Sequence, residues 1–301
     1  MNKFNYISAI LIAAVLFQGF DYVQNSDWHE TNGIFGGSVY ALTATADGHI
    51  LAGTLNSGVY ISDNNGENWV QTNLNNVSVY DFAISGEAVF AASQDGIYRS
   101  TNNGRNWSSV NSGLDEIRVQ AIHYVNDNLF AATQVGGIYR SINNGDSWTA
   151  INEGIPLRFA YSITSDNHGN IYAGISNGVY HSSNNGDSWD RLGTGFPNIR
   201  TNSIMANANG IYAATQDGIL HSRNDGDTWT DVSSGLGNRD VFGLAYNKGS
   251  MYAGTREGVY SSSNNGRRWT LSGWSENAVY SVTSNGNWVF IGGGPGVYYL
   301  D

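Results

Sequence analysis

One eight-residue segment occurs six times in the 301-residue chain. Its first copy reads Ser62-Asp63-Asn64-Asn65-Gly66-Glu67-Asn68-Trp69, and every copy keeps Ser first, Asn third, Gly fifth and Trp eighth. We call this segment the octad. The tryptophans that end the six copies follow one another at intervals of 38 to 41 residues. A fixed period of this length indicates a repeat architecture in which each unit is one supersecondary structure.

A second motif shows that the chain has seven units. Gly-Val/Ile-Tyr precedes the octads (with Leu220 in place of Tyr in the fifth unit), and it occurs once more at Gly296-Val297-Tyr298, where no octad follows. The missing part of the seventh unit lies at the other end of the chain, because Trp28 precedes Trp69 by one period of 41 residues. We therefore expect a strand over Trp28–Thr31 to complete the last sheet and close a ring.

Each period has room for four short strands. In the first unit the pattern predicts them over Val39–Thr45, Ile50–Thr54, Gly58–Ser62 and Trp69–Thr72, joined by Gly-bearing turns typical of hairpins. Four strands in about 40 residues are typical of one propeller blade. The sequence therefore predicts an all-β fold over residues 21–301: a seven-bladed β-propeller of four-stranded antiparallel blades.

Composition limits the function classes. The net charge of −11 argues against a nucleic-acid partner, because such proteins usually present a basic surface. The absence of Cys excludes disulfides and thiolate metal sites. The six His residues show no ligand-like arrangement, and no phosphate-binding or calcium-binding motif occurs. We therefore expect neither a metal nor a cofactor.

The first twenty residues form a separate segment. Lys3 is followed by an apolar run from Ile7 to Phe17, which is too short to span a bilayer but is typical of a secretory signal. We expect residues 1–20 to be a signal peptide or an uncleaved N-terminal anchor; a buried helix is the alternative. The protein is then secreted, periplasmic or on the cell surface, with this segment as its only membrane contact.

The octads are predicted to be structural. Asn-Asn-Gly between two strands favours a tight turn, the first Asn can accept backbone hydrogen bonds within it, and Trp offers a large apolar surface to the core. The residues assigned this role are Asn64, Asn102, Asn143, Asn184, Asn224, Asn264, Trp69, Trp107, Trp148, Trp189, Trp229 and Trp269.

The octad resembles the Asp-box, or BNR, repeat of sialidases, xyloglucan-cleaving tandem propellers, sortilin-type receptors and photosystem II assembly factors. That repeat reads Ser-x-Asp-x-Gly-x-Ser/Thr-Trp, and this chain has Asn in place of the Asp in all six copies. The resemblance implies a β-propeller and octads on structural turns, remote from the face that is catalytic in the enzymes of the family.

Loops at the mouth of the central channel are the candidate binding site, because loops on a rigid scaffold commonly carry function. Arginines, carboxylates and aromatics there could bind a protein or a glycan. The alternative is a solvated rim with ion pairs such as Arg239–Asp240. The candidates are Asp115, Glu116, Arg118, Arg158, Arg200, Arg239, Asp240, Arg256, Glu257 and Trp274.

These observations favour a non-catalytic binding or assembly module. The alternative is a glycoside hydrolase, either sialidase-like or glucanase-like, which would need carboxylates placed on both sides of the scissile bond. The resemblance to sialidases implies three substrate-binding arginines, but the Arg-Ile-Pro signature is missing, sialidases have six blades, and no long inserted loop interrupts the repeats. We assign no catalytic residue. A third and weaker hypothesis is a chaperone-like role, after the photosystem assembly propellers.

Overall fold

Seven sheets, each of four antiparallel strands, make up the computed structural model. This architecture confirms the predicted seven-bladed β-propeller. No helix that could span a membrane occurs in the part of the chain that the structure describes. The predicted signal segment, 1–20, lies outside that part. The described residues are 28–34, 37–193, 195–273, 277–294 and 296–301.

The N-terminal strand is β1 (His29–Glu30). Blade one consists of β2 (Val39–Ala44), β3 (Ile50–Thr54), β4 (Gly58–Ser62) and β5 (Val70–Gln71). Blade two consists of β6 (Val79–Ser85), β7 (Ala88–Ser93), β8 (Gly96–Ser100) and β9 (Ser108–Ser109). Blade three consists of β10 (Val119–Val125), β11 (Asn128–Thr133), β12 (Gly137–Ser141) and β13 (Thr149–Ala150). Blade four consists of β14 (Ala160–Ser165), β15 (Ile171–Ile175), β16 (Gly178–Ser182) and β17 (Asp190–Arg191).

Blade five consists of β18 (Thr201–Asn207), β19 (Gly210–Thr215), β20 (Gly218–Ser222) and β21 (Thr230–Asp231). Blade six consists of β22 (Val241–Asn247), β23 (Ser250–Thr255), β24 (Gly258–Ser262) and β25 (Thr270–Gly273). Blade seven consists of β26 (Val279–Ser284), β27 (Val289–Gly293), β28 (Val297–Leu300) and β1, so that the two ends of the chain share one sheet.

The predicted ring closure is confirmed. Strand β1 pairs with β28, with His29 opposite Tyr299 and Glu30 opposite Tyr298. Both the amide and the hydroxyl of Thr31 donate to the Val297 carbonyl, at 3.1 and 2.9 Å. The strand is shorter than the predicted Trp28–Thr31, but the flanking residues contribute through these hydrogen bonds.

In blades one to five the fourth strand has two residues, because the octad Trp lies outside the ladder, whereas β25 of blade six has four. The prediction placed Trp69–Thr72 in a strand, whereas β5 contains two residues. In blades three, four and six the Trp backbone N–H donates to a carbonyl of the preceding blade instead of to its own sheet. Trp148 donates to Ser112 at 2.9 Å and Trp189 to Glu153 at 2.9 Å.

All six octads have the same hydrogen bonds. In the third copy, the Ser141 hydroxyl donates to Asn143 Oδ1 at 2.9 Å and accepts the Gly145 N–H at 2.9 Å. Asn143 Oδ1 also accepts the Ser147 N–H at 2.9 Å. Asn144 and Gly145 have positive φ angles of 57° and 89°, a conformation that Asn tolerates and Gly adopts without strain. The third-position Asn therefore performs the acceptor role predicted for it.

The indole N–H groups join adjacent blades. Trp148, Trp189 and Trp269 donate to the carbonyls of Val110, Ile151 and Val232, each in the last segment of the preceding blade, at 2.8–2.9 Å. Trp69 donates to Thr31 Oγ1 and Trp28 to the Ser272 carbonyl, both at 3.0 Å, so the same connection crosses the closure. Two copies differ. The Trp229 indole N–H donates to the Gly226 carbonyl within its own turn at 2.9 Å, and the Trp107 indole N–H has no partner among the described residues.

The hydrophobic core lies between the blades. One cluster joins Leu51 and Val59 of blade one to Phe82 and Val89 of blade two, and comparable clusters occupy the next interfaces. Burial of apolar surface contributes roughly 25 cal/mol per Å², so each interface is a major stabilising contribution. A rigid ring of this kind holds the loops at the channel mouth in fixed positions.

The octad geometry predicts that stability depends on a hydrogen-bond acceptor at position three and not on the charge of that acceptor. We expect N143D to change the free energy of unfolding by less than about 0.5 kcal/mol, because a carboxylate oxygen accepts the same two hydrogen bonds. N143A should cost about 1–3 kcal/mol, because it leaves the Ser147 N–H and the Ser141 hydroxyl without their acceptor. Urea unfolding at neutral pH measures both, and equal losses for the two variants would contradict the acceptor role.

Candidate functional site

A β-bulge occurs at the same position in all seven innermost strands. In β2, Val39 pairs with Thr54 and Ala41 with Gly53, so that Tyr40 is an extra residue without a partner of its own. Bulges redirect side chains and are common next to functional sites. The bulge residues, which line the central cavity and which we call the collar, are Tyr40, Tyr80, Gln120, Tyr161, Asn202, Phe242 and Tyr280.

Four collar rings form a continuous aromatic arc across blades six, seven, one and two. Phe242 and Tyr280 have ring centroids 5.2 Å apart, Tyr280 stacks on Tyr40 at 4.4 Å, and Tyr40 meets Tyr80 edge-on at 6.2 Å. Burial and the neighbouring Tyr280 raise the pKa of the Tyr40 phenol. The aromatic rings of this arc therefore remain uncharged at neutral pH and form one continuous side of the channel mouth.

Three arginines lie on collar rings. The guanidinium carbon of Arg118 is 5.5 Å from the centre of the Tyr80 ring, that of Arg200 is 4.8 Å from Tyr161, and that of Arg256 is 5.8 Å from Phe242. Cation–π contacts of this kind fix a guanidinium without neutralising it. The outer cavity, which these three arginines and the collar line together with Leu55, has a volume of about 480 Å³.

Two of these arginines have no acidic partner. Arg118 donates to the Tyr80 hydroxyl at 3.0 Å and Arg200 to Asn202 Oδ1 at 2.5 Å, whereas Arg256 forms an ion pair with Asp240 at 2.6 Å. Within the described residues, no carboxylate lies within ion-pair distance of Arg118 or Arg200. In a protein with a net charge of −11, two uncompensated guanidiniums at the channel mouth are suited to an anionic ligand.

The structure brings only some of the predicted site residues together. Arg118, Arg200 and Arg256 line one cavity, with Asp240 attached to Arg256. The predicted Arg239–Asp240 ion pair is wrong. Arg239 turns towards blade five, where Asp217 and Asp231 bind it at 2.6 and 2.7 Å and offer it two carboxylates in place of one.

The remaining candidates that the structure describes are not among the residues that line this cavity. Glu116 accepts the Arg118 N–H at 3.0 Å, and Arg158 lines a separate depression next to Glu153. Burial raises the pKa of the Tyr139 phenol, and the nearby charge of Asp115 adds to that rise. The Glu257 N–H donates to the Thr255 hydroxyl in the β23–β24 turn. Trp274 lies outside the described residues. A binding role for each of these residues stays a prediction.

An exposed apolar patch adjoins the arginines on blades three and four. Its members are Ile117 and Val135, each 50% exposed, with Leu157 and Phe159, each 44% exposed. The loops that carry them are joined, because Gln134 N–H donates to the Arg118 carbonyl and Gly137 N–H to the Arg158 carbonyl, both at 3.0 Å. Four large apolar side chains grouped in this way are typical of a protein interaction surface.

One carboxylate, Asp81, lines the deeper part of the channel, a cavity of about 230 Å³. Its oxygens accept the Phe82 N–H at 2.8 Å and the Ile122 N–H of the next blade at 3.0 Å. Burial nevertheless raises the pKa of Asp81 to about 7, because desolvation of the charge outweighs these two hydrogen bonds. No cluster of three or more potential metal ligands occurs among the described residues.

The raised pKa predicts a specific pH dependence of stability. A carboxyl that binds its proton more tightly in the folded state contributes its full stability below the unfolded pKa of about 3.9 and loses it as the pH rises through the folded value. We expect the stability of D81N relative to the wild type to increase by about 4 kcal/mol between pH 4 and pH 8, because the wild-type carboxyl ionises over this range and the amide does not. Thermal unfolding at both pH values is the measurement. A constant difference between the two proteins across this range would show that Asp81 is not the titrating group.

The collar was missed at the sequence level. Most of the channel lining comes from the bulge residues, two positions after the residue that precedes each innermost strand, as with Tyr40, Tyr80 and Tyr280. Alignment of the seven units shows an aromatic residue in this column in five of them, and that alignment could have found it.

The chain belongs to the DUF6242 β-propeller domain family, whose model matches residues 34–172 and 167–282. Together with the seven sheets, this match defines the class of the protein: a β-propeller. The match does not test the Asp-box resemblance of the octads, which stays a resemblance. None of the curated proteins matches the chain in sequence.

Several solved structures share the fold. Ycf48 from Cyanidioschyzon merolae is 18% identical, with a TM-score of 0.73, and the match covers 91% of this chain and 98% of Ycf48. A structure of Ycf48 bound to D1 peptide is 16% identical, with a TM-score of 0.72, and covers 91% of this chain and 96% of that one. The extracellular domain of a putative one-component system from B. thetaiotaomicron is 17% identical, with a TM-score of 0.78; the match covers 91% of this chain but 40% of that one.

A xyloglucanase of family GH74 from Xanthomonas campestris is also similar, at 17% identity and a TM-score of 0.66. The match covers 88% of this chain and 43% of the enzyme, so this chain corresponds to less than half of it. Identities this low establish the fold and leave function to the geometry of the site.

Proposed function

We propose that this protein is an exported, non-catalytic binding module whose channel mouth captures an extended segment of a partner protein that carries carboxylates beside apolar side chains. The observation that carries the proposal is the pair Arg118 and Arg200, held on collar tyrosines without acidic partners. A carboxylate from the partner would replace water at guanidiniums that are already fixed in position, which limits the entropic cost of binding.

The apolar patch favours a protein over a glycan at this face. Ile117, Val135, Leu157 and Phe159 offer no hydrogen bonds to sugar hydroxyls, but they can cover leucine or phenylalanine side chains of a peptide. Ycf48, which shares the fold, has been captured with a peptide bound. Export is supported by the similarity to extracellular domains of B. thetaiotaomicron proteins.

Hydrolysis of a glycoside is the second candidate, supported by the fold similarity to GH74 enzymes. The described lining of the two channel cavities offers one carboxylate, Asp81, which is bound by two backbone amides. A two-carboxylate mechanism needs a second such group at the same bond. The channel geometry therefore favours binding over hydrolysis.

A peptide-binding experiment tests the proposal. Synthetic peptides that combine Asp or Glu with Leu or Phe are compared with matched peptides in which Asn or Gln replaces each acid, using fluorescence anisotropy. We expect the acidic peptides to bind, and R118Q/R200Q to weaken that binding about tenfold or more. R268Q, an exposed arginine in the sixth octad, is the control and should bind as the wild type does.

Three results would overturn the proposal. They are failure of every acidic peptide to bind, equal binding of the acidic and amide peptides, and binding by a neutral or acidic glycan that R118Q/R200Q abolishes. Release of sugar from xyloglucan or from a sialoside would instead support the hydrolase.

A further inference from the structure

A groove of about 700 Å³ lies at the other end of the blades from the collar, where the β14–β15 and β18–β19 turns meet the octads of blades five and six. Its described lining is rich in polar groups, with four asparagines, two aspartates and two arginines. No part of the proposed function uses it. Its chemistry becomes clear when the equivalent junctions between other blades are compared.

At two junctions, an arginine clamps the next octad. Arg99, the residue before the second octad, donates to the Asn144 carbonyl at 2.8 Å and to Asp146 at 2.7 Å. One blade further on, Arg140 donates to the Asn185 carbonyl at 2.6 Å and to Asp187 at 2.8 Å. The base lies on one blade and the acid at the sixth octad position of the next, so the charges cancel.

Between blades five and six this clamp is missing. The residue before the fifth octad is His221, which stacks on Tyr212 with centroids 4.0 Å apart and bonds to the Asn209 carbonyl through Nε2 at 2.9 Å. The Tyr212 hydroxyl donates to the Asn265 carbonyl at 3.3 Å, in the place of the clamping arginine. The sixth octad position is Arg267, where the clamped junctions have Asp146 and Asp187.

Two guanidiniums therefore share the groove. Arg223, at the second position of the fifth octad, lines the same space as Arg267. Burial raises the pKa of the Tyr212 phenol, and both arginines oppose that rise, which places both charges near one hydroxyl. Within the described residues, neither arginine has a carboxylate within ion-pair distance.

Two carboxylates, Asp166 and Asp225, also line the groove. Asp166 accepts the His168 N–H at 2.8 Å and the Asn170 N–H at 2.9 Å, and the pKa of Tyr172 is raised by burial and by the charges of Asp166 and Asp225. Asn207, another lining residue, has a buried Nδ2 without a partner among the described residues. The groove thus combines two arginines, two carboxylates and an amide donor without a partner.

We propose that this groove binds an acidic saccharide, with its carboxylate or sulfate on Arg223 and Arg267 and its hydroxyls on Asn207 and Asp225. Guanidiniums bind carboxylates and sulfates through paired, charge-assisted hydrogen bonds, while amides and carboxylates are the usual partners of sugar hydroxyls. A volume of about 700 Å³ lies within the range of small-ligand sites. A neutral sugar would leave both guanidiniums unpaired.

Isothermal titration of the full chain tests this site. The probes are trigalacturonate, a sulfated chondroitin disaccharide and neutral maltotriose. We expect one or both acidic probes to bind, maltotriose to fail, and R223Q/R267Q to weaken binding at least about tenfold. R268Q is the matched control, because Arg268 follows Arg267 directly and does not line the groove; it should retain wild-type affinity.

Binding of either acidic probe would support an acidic saccharide as the ligand class. The probe with the higher affinity shows whether the site prefers a carboxylate or a sulfate. The proposal is overturned if neither acidic probe binds at millimolar concentration, if maltotriose binds equally well, or if R223Q/R267Q binds as the wild type does. The R118Q/R200Q variant should keep its affinity for the saccharide, and the R223Q/R267Q variant should keep its affinity for the peptide. The two proposals can therefore be refuted separately.

Discussion

A chain that begins at Asn32, and so lacks β1 and Thr31, should melt roughly 10 °C or more below the full-length protein or should aggregate. Four contacts are lost together: the β1–β28 pairing, the Thr31 bonds to Val297, the Trp69 bond to Thr31, and the Trp28 bond to Ser272. The loss also exposes the edge of β28, which would then be free to pair with another molecule. Circular dichroism melts and light scattering measure the two outcomes.

A chain that begins at Ser26 is the control for this truncation. It keeps the four contacts named above and should melt with the full-length protein. Equal melting temperatures for the two truncated chains would show that β1 does not hold the ring together, and the closure would then depend on blade packing alone.

The second large effect is expected at the octad tryptophans, and it should differ between copies. Trp189 is 2% exposed, and its indole N–H reaches the Ile151 carbonyl of the preceding blade at 2.9 Å. Trp229 is less buried and bonds within its own turn. We expect W189A to cost about 3–5 kcal/mol, since it creates a cavity and breaks a connection between blades, and W229A to cost about 2 kcal/mol.

Chemical unfolding of the two variants measures the difference. A loss for W229A as large as that for W189A would mean that burial within the turn, not the connection between blades, determines the contribution of the octads. Both variants should leave peptide and saccharide binding intact where they still fold, because neither tryptophan lines the outer cavity or the groove.

The repeat itself made most of the fold predictable. The tryptophan intervals and the seventh Gly-Val-Tyr motif give the number of blades, and the position of Trp28 one period before Trp69 indicates the strand that completes the last one. The lengths of the outer strands were less predictable. The backbone N–H of an octad Trp bonds to another blade, and periodicity within one unit carries no information about such a bond.

The site was predictable only in part, for two physical reasons. The bulges break the two-residue alternation of the innermost strands, so the pattern that identifies a strand cannot show that Tyr40 or Tyr161 enters the channel. Ion pairs depend on which loops meet, and Arg239 binds Asp217 and Asp231 rather than its sequence neighbour Asp240. Arg118 and Arg200 were predictable because they immediately precede the innermost strands.

The same reasoning explains why the saccharide groove escaped sequence analysis. Arg223 and Arg267 occupy different octad positions, 44 residues apart in the sequence, and nothing local connects them. Comparison of the junctions shows the difference: the sixth octad position is Asp146 or Asp187 where the clamp forms and Arg267 at the groove. Arg105, the other arginine at this position, forms an ion pair with Asp63.

The central claim is that the channel mouth binds the partner peptide while the octads stabilise the ring of blades. Hydrogen exchange of the protein with and without the tightest-binding acidic peptide tests this claim most directly. We expect slower exchange in residues 115–120, 134–137, 157–161 and 200–202, which carry the unpaired arginines and the apolar patch, and unchanged exchange in the six octads. Slower exchange confined to the octads or to the groove, with the mouth unaffected, would contradict it.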